Sequence, residues 1–355
     1  MSALYENSVI EIPKAPTGIE GFDQITRGGL PRCSSTLVTG GSGSGKTVFG
    51  LQTLVNGSRL FGEPGVFVAF EERSRKISAH VATFGWPMTG WEILDAMPPP
   101  DVVAIGEFDL AGTLAILSAK THAMKARRIV FDSLDVLFQL LPSVQERRRE
   151  FNRLHSWLLD EQLTAIVTAK LDWVEASTPP PLDDESLRYL PYIVDCVVAL
   201  TNRYDNGFSQ RRVRIVKYRG SGFSENDTPF VISPSGIQVA TADRTPISKT
   251  IAFEKISTGV MALDEMLYGG VLRGTTTMIT GNPGTAKTTL SGAFAEASAR
   301  QGDKTVYVAF DESAEEIVRN LTSVNIHLQE HIDKGSLSMH SENVARRCGR
   351  AFSAH

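Results

Sequence analysis

Eight consecutive residues, Gly40, Gly41, Ser42, Gly43, Ser44, Gly45, Lys46 and Thr47, fit the pattern G-x-x-x-x-G-K-[ST] in full. Such a run holds a polyphosphate. Its backbone N–H groups converge on the phosphate oxygens, and the helix that follows presents its positive N-terminus. Glycine is needed where the loop turns into backbone angles that side chains forbid and where phosphate must come close. Lys46 is placed to neutralise the β- and γ-phosphates, and the Thr47 hydroxyl to bind Mg²⁺. A flexible glycine loop with no ligand is the competing explanation. The strand-like run before it and the helical pattern after it argue for phosphate.

The same pattern recurs 241 positions later as Gly281, Asn282, Pro283, Gly284, Thr285, Ala286, Lys287 and Thr288. Here Ala286 replaces the last glycine, and Thr288 is the matching metal ligand. The register extends beyond the loops. Thr17-Gly18 corresponds to Thr258-Gly259, Asp23 to Asp264, and Gly28-Gly29 to Gly269-Gly270 at the same offset. After a one-residue gap, Val68-Ala-Phe-Glu71 corresponds to Val308-Ala-Phe-Asp311. A period this long marks a duplicated domain and not a solenoid.

Further chemistry lies at strand ends. Asp132 closes the apolar run Arg128-Ile-Val-Phe131, where a second Mg²⁺-holding carboxylate is expected. Glu71 and Glu72 follow the apolar Val66–Phe70, within reach of a γ-phosphate, where a carboxylate can orient and deprotonate an attacking water. Lys217 and Arg219, beside Gly220, are candidates to stabilise charge on a neighbouring subunit's nucleotide; a charged hairpin tip explains them equally well. The run Glu146-Arg-Arg-Arg149 is assigned to a solvated helix face.

The elements that must position these groups alternate. Strands are predicted at 35–39, 66–70, 128–131 and 164–168, with later ones at 194–200 and 212–217. Helices are predicted at 47–60, 74–84 and 147–159. Strands apolar on both faces imply a mostly parallel α/β sheet with helices on both sides. Proline places 1–16 in an arm and 98–100 and 179–181 in loops. The expected domains are 1–240, a polar linker 241–250, and 251–355.

The chain of 355 residues is 42% hydrophobic, enough for two cores, and its net charge of −4 offers no basic footprint for nucleic acid. Three dispersed cysteines, Cys33, Cys196 and Cys348, fit reduced thiols. Neither a signal peptide nor a membrane-spanning run is found, so a cytoplasmic protein without membrane contact is expected.

The sequence resembles the KaiC family of RecA-like ATPases. The resemblance rests on Thr17-Gly-Ile-Glu-Gly-Phe-Asp23, Gly28-Gly-Leu30, the first P-loop, Phe70-Glu-Glu72, Phe84-Gly-Trp86, Phe131-Asp-Ser133, Lys217-Tyr-Arg-Gly220, Pro229-Phe230 and Ser235-Gly-Ile237. They span the first copy in order; the second copy matches through about residue 325. The resemblance implies tandem ATPase domains stacked as two rings of a homohexamer, with ATP and Mg²⁺ bound between subunits. It makes Glu71 and Glu72 the catalytic pair, Asp132 the Mg²⁺-associated aspartate, and Lys217 and Arg219 the residues that cross to a neighbour. It also implies small clock or signalling proteins as partners.

The family's second domain catalyses serine/threonine autophosphorylation. Its phosphosites, and the counterparts of Asp132, Lys217 and Arg219, would fall beyond His355, so the family's autokinase activity is not expected of this sequence. A second copy of this extent is expected to hold its loop, one helix, the 305–310 strand and about one more helix at 314–324. Unpaired strand edges and low stability would follow, as in a truncated gene product. Two other readings stay open: a nucleotide-gated signalling scaffold with negligible turnover, and a DNA-dependent ATPase of the RecA/RadA kind.

Overall fold

The structure, a computed structural model, describes residues 13–97, 110–141, 143–171, 187, 189–205, 208–241 and 253–341. Most of the arm, the proline loops 98–100 and 179–181, nearly all of the 241–250 linker, and Cys348 lie outside the described residues. The chain divides into two compact units, Met1–Asp243 and Arg244–His355.

The first unit is built on a nine-stranded sheet. Strands β1 (Lys14–Ala15) and β2 (Leu30–Pro31) form a separate small ribbon. The sheet proper holds β3 (Ser35–Thr39), β4 (Gly65–Ala69), β5 (Trp91–Asp95), β6 (Arg128–Asp132), β7 (Thr164–Ala169), β8 (Cys196–Asp205), β9 (Phe208–Tyr218), β10 (Thr228–Ser233) and β11 (Gly236–Val239). Their order is β11-β10-β9-β8-β3-β7-β6-β4-β5. The strands from β8 to β5 run parallel, and β9, β10 and β11 extend the sheet by antiparallel pairing.

The central parallel strands β3, β4, β6 and β7 are buried along nearly their whole length because both faces are covered. In β3, Val38 packs into one core and Leu37 into the other; in β6, Val130 faces one side while Ile129 and Phe131 face the opposite one. Phe49, Leu51, Leu54 and Val55 of the long helix α2 (Lys46–Phe61) cover the first face, with Ile77 and Val81 of α3 (Ser74–Thr83). The other face is covered by α4 (Leu110–Met124), α5 (Leu134–Gln139) and α6 (Val144–Asp160). A short turn of helix, α7 (Leu190–Ile193), precedes β8. The architecture is that of a RecA-like P-loop NTPase, as the resemblance implied, and the sheet is covered on both sides, as the alternating pattern implied.

The second unit repeats the start of this plan. It contains β12 (Lys255–Ile256), α8 (Met261–Met266), β13 (Val271–Leu272), α9 (Lys287–Arg300), β14 (Thr305–Ala309), α10 (Ala314–Thr322), α11 (Leu328–Asp333) and β15 (Leu337–Ser341). It holds more than the expected loop, helix, strand and further helix: β12, α8, β13, α11 and β15 are additional, and β15 pairs with β14 in parallel. Strand β15 reads Leu-Ser-Met-His-Ser, too polar to stand out as a buried strand. Residues 276–280, the counterparts of β3, form no strand. Among the described residues β14 has a partner on one edge alone.

Candidate functional site

The first loop joins the C-terminal end of β3 to α2, at the end of the sheet where open α/β folds take ligands. Gly40, Gly43 and Gly45 all have positive φ, 150°, 71° and 101°. A Cβ on Gly40 would stand 2.1 Å from the Leu200 carbonyl oxygen, so glycine is required there. The buried Lys46 reaches back across the loop and donates to the Gly40 and Gly41 carbonyls at 2.6 and 2.9 Å. Burial pushes its pKa down, against the pull of Asp135, Asp132 and Glu71. Ser44 Oγ is buried and without a hydrogen-bond partner, a polar atom left over inside the loop.

Thr47, the second residue of α2, donates its hydroxyl to Asp132 Oδ2 at 2.8 Å. Thr168, near the end of β7, donates to Asp132 Oδ1 at 2.5 Å. Burial raises the pKa of Asp132, opposed by these two bonds and by Lys46. A hydroxyl and a desolvated carboxylate side by side form the hard-oxygen donor set that suits Mg²⁺, and a cation there would relieve the cost of burying the charge. The loop and this pair together fit a Mg²⁺–nucleoside triphosphate.

The two glutamates part company. Glu71 Oε1 accepts from Lys170 Nζ at 2.7 Å, and its charge is felt at Lys46. Glu72 turns onto α3, the helix that follows it, with Lys76 Nζ at 2.5 Å and His80 Nδ1 at 3.7 Å. The sequence treats them as an equivalent pair; the structure brings Glu71 alone toward the loop lysine.

Lys217 and Arg219 stand at the other end of the sheet. In the register of β8 against β9, Lys217 lies opposite Val197, while Arg211 lies opposite Asn202 and donates to the Gly43 carbonyl at 3.4 Å. Lys217 Nζ bonds the Pro191 and Val194 carbonyls at 2.7 and 2.6 Å. Arg219 bonds the Tyr192 carbonyl at 2.9 Å and Asp195 at 3.2 Å. Burial first, then the charge of Arg219, lowers the pKa of Lys217. Neither reaches the phosphate loop of its own chain.

Sequence reasoning missed three members of the cluster: Thr168, Asp135 and Lys170. Asp135 is buried in α5, accepts from Ser133 Oγ at 2.8 Å, and receives the Lys170 backbone N–H at 2.9 and 3.0 Å. Burial raises its pKa, against those bonds. The available signal was the strand-end rule that singled out Asp132, since Lys170 is the first residue after β7.

The second loop repeats the lysine geometry, with Lys287 Nζ 2.9 Å from the Gly281 and Asn282 carbonyls. Ala286 sits at φ 60°, a left-handed conformation that strains a side chain. Thr285 caps the turn by donating to the Asn282 carbonyl at 2.8 Å. Pro283, Gly284 and Thr288 are exposed, and Thr288 meets no carboxylate among the described residues.

A family model described as "ATPase: KaiC" matches residues 15–244 and 256–348. "Circadian clock protein KaiC2" of Synechocystis is 36% identical over 332 residues, covering 91% of this chain and 57% of its own length. "Circadian clock oscillator protein KaiC" of Prochlorococcus marinus is 35% identical over 341 residues, 94% of this chain and 67% of its own. The protein of that name from Thermosynechococcus vestitus is 34% identical over 339 residues, 94% and 64%. The chain thus spans little more than half of the first relative and about two thirds of the others.

Proposed function

The chain belongs to the KaiC family, and from that premise we propose that its first unit binds ATP with Mg²⁺ at Gly40–Thr47 and hydrolyses it. The observation that carries this is the convergence of Lys46, the Thr47–Asp132 pair and Glu71 at the C-terminal ends of β3, β6 and β4. The loop N–H groups and Lys46 hold the β- and γ-phosphates, and Thr47 and Asp132 hold the metal. Mg²⁺, when bound, neutralises charge on the phosphate oxygens. Glu71 accepts the proton of the attacking water. Lys46, drawn from the loop carbonyls onto phosphate, offsets the charge that gathers on the leaving oxygen.

Lys217 and Arg219 act at phosphate on a neighbouring copy, so the working form is a ring, a homohexamer on the family's pattern, in the cytoplasm. Their remoteness from their own loop supports a site completed between chains. The ring serves clock-type or related signalling with small protein partners. The second loop, Gly281–Thr288, binds nucleotide more weakly, because of strain at Ala286 and because Thr288 meets no carboxylate among the described residues.

Steady-state hydrolysis of Mg²⁺–ATP by the purified chain, beside the Glu71→Gln/Glu72→Gln variant, tests the reading. Turnover lost in the variant supports it. Binding of ATP with no turnover in either protein would replace it with a nucleotide-gated scaffold, a second reading favoured by the Glu71 carboxylate being held by Lys170. Full turnover in dilute monomer would sink the shared site.

A further inference from the structure

Lys170 has no task in the chemistry above, yet it is the side chain that touches Glu71. Its backbone is fixed: Asp135, itself held by Ser133, clamps the Lys170 N–H with both carboxylate oxygens. Its side chain is free to swing, being 48% exposed against 46% for its partner Glu71. An exposed ion pair of this kind adds little to stability. The contact is therefore a poor strut and an easily broken latch.

The surroundings supply the reason to break it. Lys46, Asp132, Asp135 and Glu71 all lie within electrostatic reach of Lys170, which puts the ammonium beside the pocket where Lys46 meets a triphosphate. A γ-phosphate brings up to two negative charges and three acceptor oxygens, more than one carboxylate offers an ammonium. A nucleoside diphosphate brings neither to that position.

We propose that Lys170 is a γ-phosphate-responsive cation: in the nucleotide-free protein it holds the Glu71 carboxylate, and ATP draws it away and frees Glu71. This rests on the ATPase reading and deepens it. In the step so licensed, the water oxygen bonds to the γ-phosphorus and the bond to the β–γ bridging oxygen breaks. The electron pair leaves on ADP and the water's proton passes to Glu71. Lys170 changes partners and keeps its proton throughout. The hydrogen bond to Glu71 raises its pKa, and phosphate would do the same.

The test is equilibrium binding of ADP and of a non-hydrolysable ATP analogue, each with Mg²⁺, to the full chain and to Lys170→Met, Lys170→Arg, Glu71→Gln and the Lys170→Met/Glu71→Gln double variant. Loss of one charge-assisted contact is expected to weaken the analogue about tenfold in Lys170→Met while ADP affinity holds. Lys170→Arg should restore the preference for the triphosphate. Glu71→Gln, by opening the latch in advance, should tighten the analogue, and that gain should vanish when Lys170 is also Met. Equal analogue affinity in wild type and Lys170→Met, or a Glu71→Gln gain that survives without Lys170, would overturn the proposal while leaving the ATPase reading intact. Wild-type chain that binds neither nucleotide would overturn both. If Lys170→Met loses ADP as well, the Arg and Glu71→Gln variants decide by the same criteria.

Discussion

At the scale of single residues, the two glutamates show how much one backbone step decides. Glu71 and Glu72 are the same residue type at one strand end, and sequence gives no ground for separating them. Once β4 is fixed beside β6, Glu71 turns toward Lys170 and the field of Lys46, whereas Glu72 is occupied by Lys76 one helical turn on. Glu71→Gln should therefore lower kcat by about a hundredfold or more, the worth of a positioned general base. Glu72→Gln should stay within about threefold, since it removes an exposed helix pair. Steady-state turnover of the two single variants decides, and equal losses would reject the distinction. A similar contrast holds at the loops. Gly45 adopts φ 101° and ψ 14°, whereas Ala286 settles at φ 60° and ψ 26°. Ala286→Gly should relieve about 1–2 kcal/mol of left-handed strain. The expected readout is tighter nucleotide binding at the second loop in a chain whose first loop carries Lys46→Ala.

At the scale of elements, the phosphate loop depends on how α2 is moored, and its mooring is a buried arginine. Arg128, the first residue of β6, is 2% exposed. It donates to Glu63 Oε2 at 2.7 Å, to the Thr53 carbonyl within α2 at 3.1 Å, and to the Pro16 carbonyl at 2.8 Å. Removing Arg128 leaves Glu63 with Arg32 as its remaining ion partner and strips the Thr53 and Pro16 carbonyls of this donor, at a cost of about 1–3 kcal/mol for each buried group left unsatisfied. Arg128→Met should lower the melting temperature of the first unit, and the Arg128→Met/Glu63→Gln double variant should recover part of the loss. Burial alone would raise the Glu63 pKa; the hydrogen bonds of Arg32 and Arg128 outweigh it and hold the carboxyl below its usual 4.5. A depressed carboxyl stabilises the fold fully above the unfolded value and loses that contribution as pH falls through the folded one. Thermal melts from pH 6 downward should thus show a loss of stability starting below about 4.5, smaller in Glu63→Gln. None of this was legible beforehand: the predicted strand takes in Arg128, but no local pattern says that its side chain is buried against Glu63 and the Thr53 carbonyl. What was legible, the strand–loop–helix and its repeat, is written in local glycine spacing and apolar runs. Lys170 and Glu71 are 99 positions apart and meet through strand order, which no local pattern encodes.

At the scale of the whole molecule, the two units share a plan and differ in what covers it. In the first, β3 lies between β7 and β8, and β4 between β5 and β6, so every apolar residue of those strands is enclosed. In the second, residues 276–280 pair with no strand among the described residues, and β14 is paired on one edge. Met278 is consequently 84% exposed and Val306 64% exposed, in segments whose first-unit counterparts are buried. The core that does form joins α9 to α10, α11 and β15 through Ala293, Ala299, Ile317, Leu321, Leu328 and Leu337. Small residues on α9 and a two-stranded ladder bury far less apolar surface than the paired cores of the first unit, and local stability follows buried contact. Limited proteolysis of the full chain should therefore cut within 253–341 well before it cuts the first unit. ATP with Mg²⁺ should slow cleavage of the first unit, by binding its folded form, and leave the early cuts unchanged. A hydrophobic dye should bind the intact chain at neutral pH and lose that binding once the early fragments are removed. If the second unit instead outlasts the first under protease, or melts as one cooperative transition with it, its exposed strands are covered in solution and the contrast between the two units fails.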